Sequence, residues 1–263
     1  IAIAIVFSAC TKKTRQIELD TPHGKLSLPI SETLRINLST EPPTLDWNKA
    51  TDTVSSQIVD NIMAGLVSYD LLDKNLRLRP SLAAKWESSK DAKKWIFNLR
   101  NDVVWTDGVP FQAQQVVDSW RRLLEPQTAS EYAYFLFAIK NAKAFNEGKI
   151  KDFSMVGVRV LSPAQIEVEL DQPMAYFPSL LTHSSTYPIR LDLIQKFGDK
   201  WTDAENMQGL GPFKLRAWQH DKMIVLERND KFFGERPQDK NLVKYIAAYM
   251  IIEQSTAINL FDS

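Results

Sequence analysis

Strand-like and helix-like apolar spacings take turns along this chain, and most of the strand-like runs come in pairs with turn signals between them. Leu34, Ile36 and Leu38 alternate, and Pro42-Pro43 breaks the run ahead of Leu45-Asp46. From Val54 the period changes. Val54, Ile58, Ile62 and Leu66, with Val59 and Met63 beside them, form one apolar stripe at helical spacing that Asp52 or Thr53 can cap. Trp95, Phe97 and Leu99 alternate again, Val103 and Trp105 continue the pattern, and Asp107-Gly108 with Pro110 marks a turn. A helix follows with Val116, Val117, Trp120, Leu123 and Leu124 as its buried face, ended by Pro126. Val156, Val158 and Val160 face Ile166, Val168 and Leu170 across Ser162-Pro163 as an antiparallel hairpin. Phe213, Leu215 and Ala217 pair with Ile224 and Leu226 across Asp221 in the same way. A last strand over 243–251 puts Val243, Tyr245, Ala247, Tyr249 and Ile251 on one face, and a helix starts near Ser255. Hairpins mixed with helices predict an α+β fold and argue against a doubly wound parallel sheet.

The chain has 263 residues, enough for a real core and for more than one domain. Its 32 basic and 32 acidic side chains cancel and form no stripe, so the reading includes no nucleic-acid partner. A single cysteine, Cys10, forbids any internal disulfide. There is no Gly-x-Ser-x-Gly elbow, no phosphate-binding Walker loop and no His-Glu-x-x-His, which leaves hydrolase, NTPase and zinc-protease chemistry without a foothold. Gly209-Leu210-Gly211 precedes Pro212 and an alternating strand, not a helix, and reads as a turn. His23, His183 and His220 lack metal-ligand spacing and read as surface or hydrogen-bonded histidines, so no metal, no cofactor and no catalytic residue is expected. Trp86, Trp95, Trp105 and Trp120 lie in one short stretch, most of them expected as core anchors.

The two ends carry a different message. Residues 1–9 are apolar or small, and Phe7-Ser8-Ala9-Cys10 resembles a bacterial lipobox with Phe7 where an aliphatic residue is preferred. Residues 1–10 are therefore expected to be the remnant of a lipoprotein signal, with Cys10 as the lipidation site, and residues 11–32 a polar tether. The last helix stops after about two turns, which is expected of a truncated chain.

Several segments, read in order, resemble the extracytoplasmic solute-binding proteins of oligopeptide ABC importers, family 5. They are Glu41-Pro42-Pro43-Thr44-Leu45-Asp46, the run 62–67, Pro80-Ser81-Leu82-Ala83-Ala84-Lys85-Trp86-Glu87, Gly211-Pro212-Phe213-Lys214-Leu215 and the run 224–229. The most telling pieces lie within 95–126: Trp95 to Arg100, Val104 to Pro110, and Asp118-Ser119-Trp120-Arg121-Arg122-Leu123 with Pro126. Thr128 to Ala133 and His183-Ser184-Ser185-Thr186 favour the oligopeptide branch.

This resemblance implies a periplasmic-binding-protein-like fold (class II, cluster C), with mixed sheets and a discontinuous first domain. Residues 33–64 and 190–263 would form the first lobe and 65–189 a smaller domain inserted in it, while the second lobe would follow the last residue. It further implies a non-enzymatic, monomeric carrier in the cell envelope, periplasmic or on the outer face of the cell membrane, that hands extended oligopeptides to ABC permease subunits of the inner membrane. A receptor for many peptides must grip the amide groups they share, by pairing them like an added strand. By position, Thr51, Asp52 and Thr53 match the family segment that offers such contacts, and Tyr132 matches an aromatic lining the slot. Thr51 stands where the compared oligopeptide proteins carry an acid. Alternative readings are the same scaffold carrying a murein peptide, haem or a metal chelate, a secreted hydrolase, or a surface antigen without ligand.

Overall fold

Local side-chain hydrogen bonds set where the two principal helices begin. Asp52 caps the first of them, and Gln112 exchanges a capping box with Gln115 at the start of the second, whose last residue precedes the extended Glu125 and Pro126. In the computed structural model, which describes residues 15–22, 24–235 and 243–262, the elements run as follows. The hairpin β1 (Gln16–Thr21) and β2 (Gly24–Pro29) precedes β3 (Thr33–Asn37) and α1 (Thr53–Ile62). Then come β4 (Val67–Tyr69), β5 (Leu78–Pro80), β6 (Ala83–Ser88), β7 (Lys94–Leu99) and α2 (Ala113–Leu124). The short α3 (Ala142–Asn146) leads to β8 (Val158–Ser162), β9 (Gln165–Glu169), α4 (Phe177–Leu180) and α5 (Leu191–Phe197). The chain closes its second sheet with β10 (Phe213–Gln219), β11 (Met223–Arg228) and β12 (Tyr245–Tyr249), followed by α6 (Gln254–Asp262).

Two four-stranded sheets organise the molecule. One has the order β6-β7-β9-β8 and is antiparallel throughout. The other has the order β10-β11-β12-β3, and its last pair is parallel, so that strands from opposite ends of the sequence lie side by side. One contiguous core joins them, from Leu38 and Trp47 through Phe97, Trp105, Trp120 and Ile166 to Leu226 and Ile246.

Within the expected tether 11–32, the described residues are not free chain. Its described part forms the β1–β2 hairpin, whose Leu19 and Leu28 are buried against Ala217, Met223, Val225 and Ala247 on the outer face of the second sheet. The physical reason is that β11 and β12 are apolar on both faces: Ile224, Leu226, Ile246 and Ala248 join the main core, and their neighbours need a second cover. The same sandwiching corrects the expectation of a single apolar face on the last strand. It also corrects β10, where a bulge between Leu215 and Ala217 turns Leu215 to the main core and Ala217 to the hairpin.

Other boundaries shift for local reasons. Helix α1 ends at Ile62, four residues short of Leu66, because the Gly209-Leu210-Gly211 turn closes it: the Leu210 and Gly211 N–H groups donate to the Ile62 carbonyl at 3.1 and 2.9 Å. Val103 and Trp105 flank an isolated bridge between Val104 and Pro110 and extend no strand. Trp95, Trp105 and Trp120 are buried as expected, whereas Trp86 is half-buried. Cys10 and His23 lie outside the described residues.

Candidate functional site

A buried polar cluster fixes the chain entering α1. Arg122 on α2 donates to both carboxylate oxygens of Asp46, at 2.8 and 2.5 Å, and to Asn48 Oδ1 at 2.8 Å. Asn48 Nδ2 donates in turn to Ser119 Oγ at 3.2 Å and to the Ser185 carbonyl at 2.9 Å. Trp47 Nε1 and Ser119 Oγ both donate to the Tyr187 carbonyl, and Trp120 Nε1 donates to the Thr186 carbonyl. The loops 44–50 and 183–187 are thereby tied to one helix.

The three residues that follow are the expected ligand loop. Thr51 and Thr53 are exposed, and Asp52 is half-buried. The Asp52 carboxylate accepts from Ser55 N at 2.8 Å and Ser55 Oγ at 2.6 Å, so its two oxygens serve the helix start. Tyr132 reaches the loop from the other side: its hydroxyl donates to the Thr51 carbonyl at 3.1 Å. The structure thus brings Thr51, Asp52, Thr53 and Tyr132 together, although 81 positions separate Thr51 from Tyr132.

Tyr132 does not stand alone. Its ring meets the His183 imidazole edge-on at 4.7 Å, and His183 stacks on Phe135 at 4.1 Å, which in turn stacks on Tyr134 at 4.8 Å. His183 Nδ1 accepts from Ser185 N at 3.2 Å and lies 2.8 Å from Ser185 Oγ, which fixes the tautomer with the proton on Nε2. Burial among these rings pushes the imidazole below its ordinary value, so the neutral form is favoured. Beneath them Tyr187 donates to the Thr182 carbonyl at 3.1 Å, and burial, then the Asp60 carboxylate, raises its phenol. Tyr134 is 54% exposed, so the cluster ends in an open aromatic ledge and not an enclosed cavity.

Sequence reasoning placed His183 as a hydrogen-bonded or surface histidine and left Tyr134 and Phe135 unremarked. The only signal that could have joined them was the position of 183–186 in the family pattern, since nothing in local spacing announces a contact across fifty residues. Among the described residues no group of three or more His, Cys, Asp or Glu is placed to hold a metal ion. No described helix is long and apolar enough to cross a membrane. A cavity of about 550 Å³ beside Asp20, Asp203 and Arg216 lies between the β1–β2 hairpin and β10, away from this ledge.

The chain matches the model of the bacterial extracellular solute-binding proteins, family 5 (middle), over residues 77–263. It belongs to that family. This family 5 chain is 36% identical to the periplasmic oligopeptide-binding protein OppA of Escherichia coli over 246 residues, which is 93% of the chain and 44% of that relative. Among solved structures it superposes on the substrate-binding domain of an oligopeptide ABC transporter from Bacillus anthracis with a TM-score of 0.80, at 35% identity, covering 88% of this chain and 43% of the other. Haemophilus influenzae OppA, solved in complex with the peptide RPPGFSPFR, gives a TM-score of 0.78 at 31% identity, over 88% and 44% of the two chains. The family 5 chain spans less than half the length of these relatives. Its fold is periplasmic-binding-protein-like, α+β with mixed sheets.

Proposed function

We propose that this protein is the peptide-capturing component of an ABC importer, and that Thr51, Asp52, Thr53 and Tyr132 form part of its ligand contact. The observation that carries this reading is the hydrogen bond from Tyr132 to the Thr51 carbonyl, which holds an exposed backbone segment beside an aromatic ledge. Such a segment suits a ligand whose constant feature is its own backbone. Asp52 holds the helix start, each of its oxygens accepting one hydrogen bond from Ser55. Thr51 brings no charge to the peptide ammonium. The relatives named for oligopeptide binding support the ligand class.

In this reading residues 33–64 and 190–263 belong to one lobe and 65–189 is a domain inserted in it. The parallel pairing of β3 with β12 supports that division. The carrier works as a monomer with permease subunits, returns the peptide intact, and is held in the cell envelope through acylated Cys10. Calorimetry of the intact protein with defined tri- to pentapeptides tests the central claim. Peptide binding should weaken roughly tenfold in Tyr132→Ala, the loss of one buried aromatic contact. Cleavage of the peptide, or unchanged affinity in that variant, would sink it.

A further inference from the structure

The tip of the β4–β5 hairpin presents its apolar side chains to solvent. Leu71 is 81% exposed and Leu72 98%, with Leu76 at 52% and Tyr69 at 39% beside them. Isolated exposed leucines are ordinary, but two consecutive ones at a protruding tip with two more apolar neighbours form a patch.

This tip is built, not frayed. Val67, Ser68 and Tyr69 pair with Pro80, Arg79 and Leu78. Beyond them the Asp70 N–H donates to the Arg77 carbonyl at 2.9 Å, and Asp70 Oδ1 accepts from Leu72 N at 3.1 Å. Asp73 Oδ1 accepts from Asn75 N at 3.0 Å, and the Leu76 N–H closes on the Asp73 carbonyl at 2.8 Å. Leu76 adopts the left-handed region, φ 49°, to complete the turn. The loop therefore spends its polar groups on holding its own shape while its leucines point outward.

Charge is sorted in the same direction. The Asp73 side chain is 9% exposed and paired with Arg77, whose own side chain is 80% exposed. Lys74 and Arg79 are exposed as well. Asp70 and Asp73 are half-buried and accept hydrogen bonds within the turn, whereas Lys74, Arg77 and Arg79, cations on long apolar stems, are exposed in the same segment as the leucines. Leucines with a tyrosine at the rim and snorkelling cations are the chemistry of a segment seated at an anionic lipid–water interface.

We propose that the β4–β5 tip is an interfacial anchor that dips Leu71 and Leu72 into the surface of an anionic phospholipid bilayer while Lys74, Arg77 and Arg79 meet the headgroups. It would hold the body of the protein against the membrane independently of any lipid on Cys10, and it stands whether or not the ligand assignment does.

Co-sedimentation tests it, in a Cys10→Ser background so that acylation contributes nothing. Vesicles of equal parts phosphatidylglycerol and phosphatidylcholine should retain the protein, and vesicles of phosphatidylcholine alone should retain less. The double variant Leu71→Ser/Leu72→Ser should partition roughly tenfold more weakly. Lys74→Glu/Arg79→Glu should abolish the preference for phosphatidylglycerol, and added salt should mimic it. As both leucines are exposed, the melting temperature should not move. A fluorophore on Leu72→Cys should report an apolar environment only with anionic vesicles, which supplies a readout independent of partitioning. No retention by phosphatidylglycerol vesicles, or equal retention of the leucine double variant, overturns the proposal. So does retention that requires reconstituted permease, since the tip would then serve a protein.

Discussion

Asp52 shows how one side chain can be read in two ways until its partners are known. As a ligand carboxylate it would be free to pair with an ammonium; as a cap it is committed to Ser55. The structure's geometry predicts that Asp52→Ala costs about 1 kcal/mol in urea unfolding, while Asp52→Asn, which keeps a capping oxygen, costs a few tenths. Equal losses in the two variants would speak against the cap. His183 makes a second prediction, in pH. Its folded-state value is lowered by burial, so the unfolded chain takes up the proton first as pH falls. Near neutrality neither state is charged and nothing is lost. From about pH 6.5 downward stability should decline, and it should level off once pH is below the depressed folded value. Protonation would also remove the Nδ1 acceptor that Ser185 uses. Melting temperatures between pH 7 and pH 5 should therefore fall less steeply in His183→Gln than in the parent, and parallel slopes would contradict the assignment.

Among the elements, the close of α1 is the most constrained. A Cβ on Gly211 would sit 2.6 Å from the Asn61 carbonyl oxygen and 2.6 Å from Met63 N, both backbone atoms that cannot move aside. Gly211→Ala is expected to destabilise by about 2 kcal/mol in chemical denaturation, since the turn must withdraw from Ile62. A neutral substitution would mean that the turn does not cap the helix. The elements legible in the sequence were those whose period is carried by large apolar residues: β3, α1, α2, β7, the β8–β9 and β10–β11 hairpins, β12 and α6. Among those that escaped, β4, β5 and β6 lack that carrier. Strands β4 and β5 have three residues each, and β6 buries only Ala83 fully, so no alternation rises above the background. In β1 and β2 the pairs Ile17/Leu19 and Leu26/Leu28 do alternate, but polar residues with Pro22 and Gly24 between them read as linker. The site was half legible. The cap at Asp52 follows from spacing, whereas the meeting of Tyr132, Phe135 and His183 depends on two loops being tied to α2 through Asn48, Ser119 and Trp120, a tertiary fact.

The whole molecule is held by a core that does not respect the boundary between its sheets. Phe97 and Ile166 of one sheet share a contiguous cluster with Leu226 and Ile246 of the other, through Trp105, Trp120 and Trp47. The two sheets should accordingly melt together. Far-ultraviolet dichroism and tryptophan fluorescence are expected to give coincident denaturant transitions, and separated midpoints would show that the inserted strands fold on their own. The parallel pairing of β3 with β12 has a further effect, on when the fold can close. Asn37 and Ile251, 214 positions apart, exchange two hydrogen bonds at 2.9 and 3.0 Å across the end of that pair. A nascent chain has no partner to offer its early strand until almost all of these residues have left the ribosome, and loops of that length close slowly. Until then the edge that β3 offers stays open for a chaperone to hold, while β6, β7, β8 and β9 already have every strand of their own sheet.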